Sequence, residues 1–346
     1  MSFSPISHGE PPGPMGLTGP REKGVALILV IMAVFLLSVT VLNTKAGVDL
    51  AEEIAISAAQ EMQAYYLARS GLALFREALA EDDNKVDSYE DDWALANKMG
   101  TIPIADVGWV IGSVADEEGK FNVLDLVNED GETDEDTDAS ALRLEDLLET
   151  LGLPQSRAIE IVDSLIDWMD FDGSVTGSGA EDPYYSSLAS PYDCANTKPT
   201  SMEDLSLVKG IGPVLLRSGE KDVPPLDKFL TVHGEKKGGD KYRRVNINTA
   251  PLEVIMALSL ELDKRLAEEI IETRISEPFE NPTQIKDVPG FPGDEFYSNE
   301  LAFLIDVASD HFSATITGET PSASSRAYGV FKRQGKEVDL VYYRGF

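Results

Sequence analysis

The sequence predicts an α+β fold in which one long N-terminal helix packs on an antiparallel sheet, and a large helical insertion interrupts that sheet. Three observations predict it. An apolar run from Val25 to Leu42 has only Ser38 and Thr40 as polar residues, and no proline occurs from Val25 to Ile102. Strand-like segments stand at both ends of the remaining chain. Between them lie segments whose leucines and isoleucines recur at helical spacing.

The N-terminal element comes first. Eighteen residues at helical rise reach roughly 27 Å, enough to cross a bilayer core. A cleaved secretory signal has a shorter apolar region, about 7 to 15 residues, closed by small residues. Here the helical pattern instead runs straight through Leu42-Asn43-Thr44-Lys45-Ala46. Apolar residues continue at Leu50, Ile54, Ala58, Met62, Tyr65, Tyr66, Leu72, Phe75 and Leu79. The expectation is a single helix over 25–81, roughly 85 Å long. Residues 25–44 lie in the membrane, and Gly47 and Gly71 are candidate bends.

Residues 82–127 then open the α/β domain. GWVIGSVADEEGKFNVLDLV, residues 108–127, reads as two strands around an Asp-Glu-Glu-Gly turn. NEDGETDEDTD, residues 128–138, has no apolar residue and reads as an acidic linker. A helical insertion over 139–305 follows. Its first helix carries Leu142, Leu144, Leu147, Leu148 and Leu151. Its second carries Ile159, Ile161, Val162, Leu165, Ile166 and Trp168, with Gly152 and Pro154 in the turn between them. Residues 306–346 close the sheet with HFSATITGET, SRAYGVFKR, a Gln-Gly turn and KEVDLVYYR.

The second insertion helix runs into an oxygen-rich loop. Asp170 and Asp172 alternate, Ser174 and Thr176 add oxygens, and Glu181 stands at the twelfth loop position counted from Asp170, with Asp182 beside it. A hard cation such as Ca²⁺ takes six to eight oxygens from this kind of segment. Val175 replaces the sixth-position glycine of an EF-hand, and Asp182-Pro183 argues against an exiting helix. The spacing is therefore that of a Ca²⁺ loop without being an EF-hand, and an acidic surface loop is the alternative. Asp167 and Asp193 are weaker candidates, with a solvent-facing place on its helix as the alternative for Asp167.

Charge and composition exclude several functions. With 61 acidic against 29 basic residues the net charge is −32, the wrong sign for nucleic acid or an anionic lipid surface. The single cysteine, Cys194, cannot form an intrachain disulfide. His8, His233 and His311 are scattered, and neither a phosphate loop nor a nucleophile elbow is present, so no enzyme is read.

The N-terminal pattern of a basic-flanked Gly24, an apolar helix from Val25 and an amphipathic continuation resembles type IV prepilins and type II secretion pseudopilins. The resemblance implies a leader over 1–24, starting at Met1 or Met15. It also implies cleavage after Gly24 by a prepilin peptidase and N-methylation of Val25. Family members usually carry Glu at the fifth mature position, and here it is Leu29. One class lacking that Glu is the minor pseudopilin called general secretion pathway protein K. Asp-Trp-x-Asp-x-Asp at 167–172, Gly-Ala-Glu-Asp at 179–182 and Tyr184-Tyr185 also look like protein K.

That resemblance implies calcium held by Asp170, Asp172, Glu181 and Asp182. It implies an inner-membrane subunit with its C-terminal domain in the periplasm of a Gram-negative bacterium. The subunit would cap the pseudopilus tip and help to initiate assembly. Its partners would be the I-type and J-type minor pseudopilins, the pseudopilus shaft and the inner-membrane assembly platform.

A rival reading comes from residues 205–216 and 245–291, which resemble helix-hairpin-helix (SAM-like) modules of membrane-anchored DNA receptors. Between Asn246 and Pro292 nine acids face four bases, and the hairpin expected to carry glycines is Ser259-Leu260-Glu261-Leu262. That balance opposes phosphate binding, so no nucleic-acid partner is expected.

Overall fold

The computed structural model describes residues 20–83 and 85–345, with side chains from Gly24 onward. Most of the leader expected over 1–24 therefore lies outside the described residues. The chain divides into two compact units, one ending at Ala59 and one beginning at Gln60.

The elements in order are helix α1 (Pro20–Glu81), the short helix α2 (Leu95–Met99), and strands β1 (Thr101–Ile104) and β2 (Gly108–Asp116). Next come β3 (Phe121–Asn122), α3 (Glu135–Thr150), α4 (Gln155–Met169), α5 (Asp182–Tyr185) and α6 (Gly212–Arg217). After them follow β4 (Leu230–Thr231), β5 (Val245–Asn246), α7 (Leu252–Ala257), α8 (Lys264–Ser276) and β6 (Ile305–Asp306). The chain ends in β7 (His311–Glu319), β8 (Ser324–Gln334) and β9 (Glu337–Gly345).

In the first unit α1 is apolar and unburied, with a mean hydropathy of 3.1 over its best 18-residue window. The two polar residues of the run satisfy themselves. Ser38 Oγ donates to the Val34 carbonyl and Thr40 Oγ1 to the Leu36 carbonyl, both at 2.8 Å. Such bonding one turn back leaves no unpaired hydroxyl to oppose entry into hydrocarbon. Among the described residues, α1 is the one helix long and apolar enough to cross a membrane.

In the second unit five of the described strands pair antiparallel in the order β1-β2-β7-β8-β9. One face of this sheet packs on the C-terminal part of α1. Leu67, Ala68, Leu72, Phe75 and Leu79 form a stripe against Val110, Val114, Phe312, Ala314, Ile316 and Phe331. Phe75 and Phe331 meet edge to face at 5.4 Å. The expected stripe holds only for Leu72, Phe75 and Leu79, because Met62 and Tyr66 are exposed. Small residues explain the difference. Ala64 and Ala68 let the helix backbone approach Gly318 so closely that a Cβ there would overlap the Ala64 carbonyl oxygen and come within 2.7 Å of Ala68 N. Gly318→Ala is therefore expected to lower stability by about 1–3 kcal/mol through overpacking, measurable as a fall in denaturant midpoint at unchanged slope.

Between β2 and β7 the chain leaves the sheet and returns to pair Asp116 with Phe312. The second strand expected in 108–127 is only the two-residue β3, which pairs parallel with β4 outside the main sheet. Val123–Leu126 coils into a buried 3-10 turn, held by Asn122 Oδ1 accepting from Leu124 N at 3.0 Å. The acidic segment read as a linker also contains structure. Asp134 Oδ1 accepts from Asp136 N and Thr137 N at 3.0 Å, and Thr137 Oγ1 in return accepts from Asp134 N at 2.6 Å. This capping box, with Glu135, Asp136 and Asp138 at the positive helix end, starts α3 inside the acidic run.

α3 lies against α4 and α7. The buried Leu144, Leu147, Leu148, Ile161, Val162 and Leu165 share one core with β3, α6, α7 and α8. The α4 helix ends at Met169, where the metal-loop candidates begin.

Candidate metal centre

The last turn of α4 and the loop after it bring three buried carboxylates together. Asp167, Asp170 and Glu181 place oxygens within 4.8 Å of one another. Four of their oxygens, Asp167 Oδ2, Asp170 Oδ1 and both of Glu181, are buried without a hydrogen-bond partner. The Oδ1 of Asn196 is buried and unpartnered too, while its Nδ2 donates to the Asp172 carbonyl at 2.8 Å. Buried polar atoms are normally satisfied, and unpartnered carboxylate oxygens are the costliest exceptions. An all-oxygen set of this kind is what a hard divalent cation requires.

The electrostatics agree. Burial first, and then the negative charges of Asp172, Glu181 and Asp167, push the Asp170 carboxyl up to about 7. Burial likewise raises the carboxyls of Asp167 and Glu181. Lys209 Nζ donates to the carbonyls of Ser178 at 2.8 Å and Gly179 at 3.2 Å and pairs with Glu160 at 3.0 Å, clipping the loop to the segment before α6. A second acidic group, Asp82, Asp87 and Asp91, contrasts with this one, because the Arg333 guanidinium reaches Asp82 and Asp87 at 2.9 and 2.6 Å.

Of the four expected ligands, the fold gathers Asp170 and Glu181. Asp172 is exposed and its Oδ1 accepts from Ser174 N at 2.6 Å. Asp182 is exposed and its Oδ1 accepts from Cys194 N at 2.7 Å. Asp193 is exposed as well. Asp167, a weaker candidate, joins Asp170 and Glu181, and the solvent-facing alternative does not hold, since Asp167 is fully buried and its Oδ1 accepts from Thr176 N at 2.8 Å. The loop wraps back over the helix end, so α4 has no open face there. The missed signal was the i, i+3 spacing of Asp167 and Asp170, which places both on one side of the last turn. Residues 182–185 also form the single-turn helix α5, where none was expected. Proline is tolerated there because the first turn needs no amide donor at that position.

Comparison with known proteins decides the family. Residues 119–221 and residues 245–306 each match a family described as Type II secretion system (T2SS), protein K. The chain belongs to the type II secretion system protein K family. It is 27% identical to protein K of Aeromonas hydrophila over 94% of this chain and 96% of the relative. It is 24% identical to protein K of Klebsiella pneumoniae, again over 94% and 96%. The fold is similar to a solved structure described as the crystal structure of the GspK-GspI-GspJ complex from enterotoxigenic Escherichia coli. The TM-score is 0.67 at 21% identity, covering 84% of this chain and 99% of the other.

The protein K match over 119–221 contains every carboxylate of the candidate centre. The match over 245–306 contains the α7–α8 hairpin. At the hairpin tip Leu260 is 89% exposed, where a phosphate-binding hairpin would offer glycine amides.

Proposed function

We propose that this protein K family member is a minor pseudopilin that caps the pseudopilus tip and helps to initiate its assembly with I-type and J-type minor pseudopilins. The observation that carries this reading is the excursion between the paired strands β2 and β7. It adds a helical body to the helix-on-sheet plan that the chain shares in fold with a solved protein K complex. A body of that volume obstructs the stacking of a further subunit. Leu29 supports the same reading: a subunit with nothing beyond it has no neighbouring amine for a glutamate at that position to neutralise. The role is structural rather than catalytic.

The apolar helix anchors the chain once in the inner membrane, with the second unit in the periplasm. A prepilin peptidase cuts after Gly24, the new Val25 terminus is methylated, and the assembly platform and shaft receive the processed subunit. Asp167, Asp170 and Glu181, completed by groups such as Asp172 in the loop, Asp182 at the start of α5 and Asn196 beyond it, hold Ca²⁺ and order the loop that closes over α4.

Two measurements test the reading. Mass spectrometry of the membrane-derived protein should give a chain starting at Val25 with one added methyl; an intact leader or a terminus near Ala46 contradicts it. Mixed with its cognate I-type and J-type subunits, the second unit should form one defined complex by light scattering. Fibres composed of this chain alone, with Leu29 or with Leu29→Glu, would indicate a shaft role instead.

A further inference from the structure

The second unit carries a groove of about 1080 Å³ between the exposed side of α3 and the turn joining α7 to α8. Two leucines stand on its walls without packing partners that cover them: Leu142 on α3 is 62% exposed and Leu260 on the hairpin tip is 89% exposed. Around them the lining is acidic, with Glu135, Asp136, Asp146, Asp240, Glu261 and Glu300. The two cations that line it among the described residues are committed. Lys241 pairs with Asp136 at 2.9 Å, and Arg143 lies over the Tyr242 ring at 4.5 Å. Glu135, Asp146 and Glu261 form no ion pair among the described residues.

We propose that this groove docks a basic segment of another protein, with apolar side chains seated against Leu142 and Leu260 and flanking Lys or Arg residues facing Glu135, Asp146 and Glu261. Charge complementarity selects the occupant. A second copy of this chain brings 61 acids and only 29 bases, and nucleic acid brings phosphate, so both are repelled by the lining. Desolvating two exposed leucines supplies affinity, and the carboxylate rim supplies orientation and a faster encounter. An amphipathic cationic segment is the chemistry that satisfies both. The same hairpin scaffold that elsewhere offers backbone amides to an anion here offers a leucine and carboxylates to a cation.

The test uses the full chain in detergent and a fluorescein-labelled peptide of alternating lysines and leucines, followed by fluorescence anisotropy. Saturable binding is expected, weakening between 50 and 300 mM salt. Leu142→Ser with Leu260→Ser, and separately Asp146→Lys with Glu261→Lys, should each weaken it tenfold or more. These residues are exposed, so an unchanged melting curve confirms that the variants fold. Glutamate in place of lysine in the peptide should abolish binding. If the leucine variant binds as well as the parent, the attraction is the diffuse pull of an acidic surface and the proposal fails. It fails equally if sedimentation shows self-association of the chain that Leu260→Ser removes, since the groove would then be a contact between copies.

Discussion

Calcium at about a hundredfold excess over its dissociation constant is expected to stabilise the second unit by about 2.7 kcal/mol. For a domain of this size that corresponds to a rise in melting temperature of roughly 5–10 °C. The source is the set of unpartnered oxygens on Asp167, Asp170 and Glu181, which without a cation repel one another in a buried place. Asp170→Asn should therefore act in two directions. In chelator it relieves repulsion and melts above the parent protein, and in Ca²⁺ it loses most of the increment. A purely structural carboxylate would lower both curves together.

The pH dependence has a defined sign. The folded-state pKa of Asp170 is raised to about 7, so in chelator its contribution to stability is complete below the unfolded value near 4. It is lost as pH rises through about 7. Protons and Ca²⁺ compete for the same oxygens, so the calcium increment should grow from pH 6 to pH 8. Identical melting in Ca²⁺ and chelator at pH 8 would show that the carboxylates bind no calcium.

Arg333→Met is expected to cost about 3–5 kcal/mol, the range for stripping one partner from a buried ion pair. Arg333 lies on β8 with no exposed surface. It donates to Asp87 at 2.6 Å, Asp82 at 2.9 Å and the Ser309 carbonyl at 2.9 Å. Asp87 then leads into the helical body. The Ser309 amide donates to its Oδ2 at 2.8 Å, and Asn246 Nδ2 lies 3.0 Å from its carbonyl and 2.9 Å from Asp116 Oδ2. Asp116 also accepts from Thr249 Oγ1 and Ser309 Oγ at 2.7 Å. One polar network thus joins the segment after α1, the sheet and the insertion. Adding Asp87→Asn to Arg333→Met should recover a large part of the loss, because it removes the charge left alone. Additive losses in that double-mutant cycle would show that the two side chains are not coupled.

Local regularities were legible in the sequence and distant pairings were not. The leucines of α3 and the isoleucines of α4 repeat within one turn of each other, and the Gln334-Gly335 turn separates two alternating strands, so these elements could be placed from spacing alone. The helix-to-sheet contact was misread because its decisive residues, Ala64, Ala68 and Gly318, are marked by lack of bulk. β3 was overestimated because apolar alternation over 121–127 does not distinguish a strand from a buried 3-10 turn. The metal cluster was half legible: Asp170 and Glu181 belong to a loop pattern, but the burial of Asp167 depends on how that loop folds back. The network around Arg333 leaves no local trace, since Asp87, Asp116, Asn246 and Ser309 come from four separate stretches of chain.

The pairing of Asp116 with Phe312 sets an order of events during folding. These neighbours lie about two hundred residues apart along the chain, and closing so long a loop from the unfolded state costs roughly 5 kcal/mol of chain entropy before any strand contact forms. If the helical body folds first, its ends already lie side by side and the closure cost has been met within it. β2 and β7 then join as if they were nearly consecutive. Refolding should consequently show two kinetic phases, with recovery of the sheet limited by the helical body. Calcium, acting only on that body, would accelerate closure of a sheet it never touches.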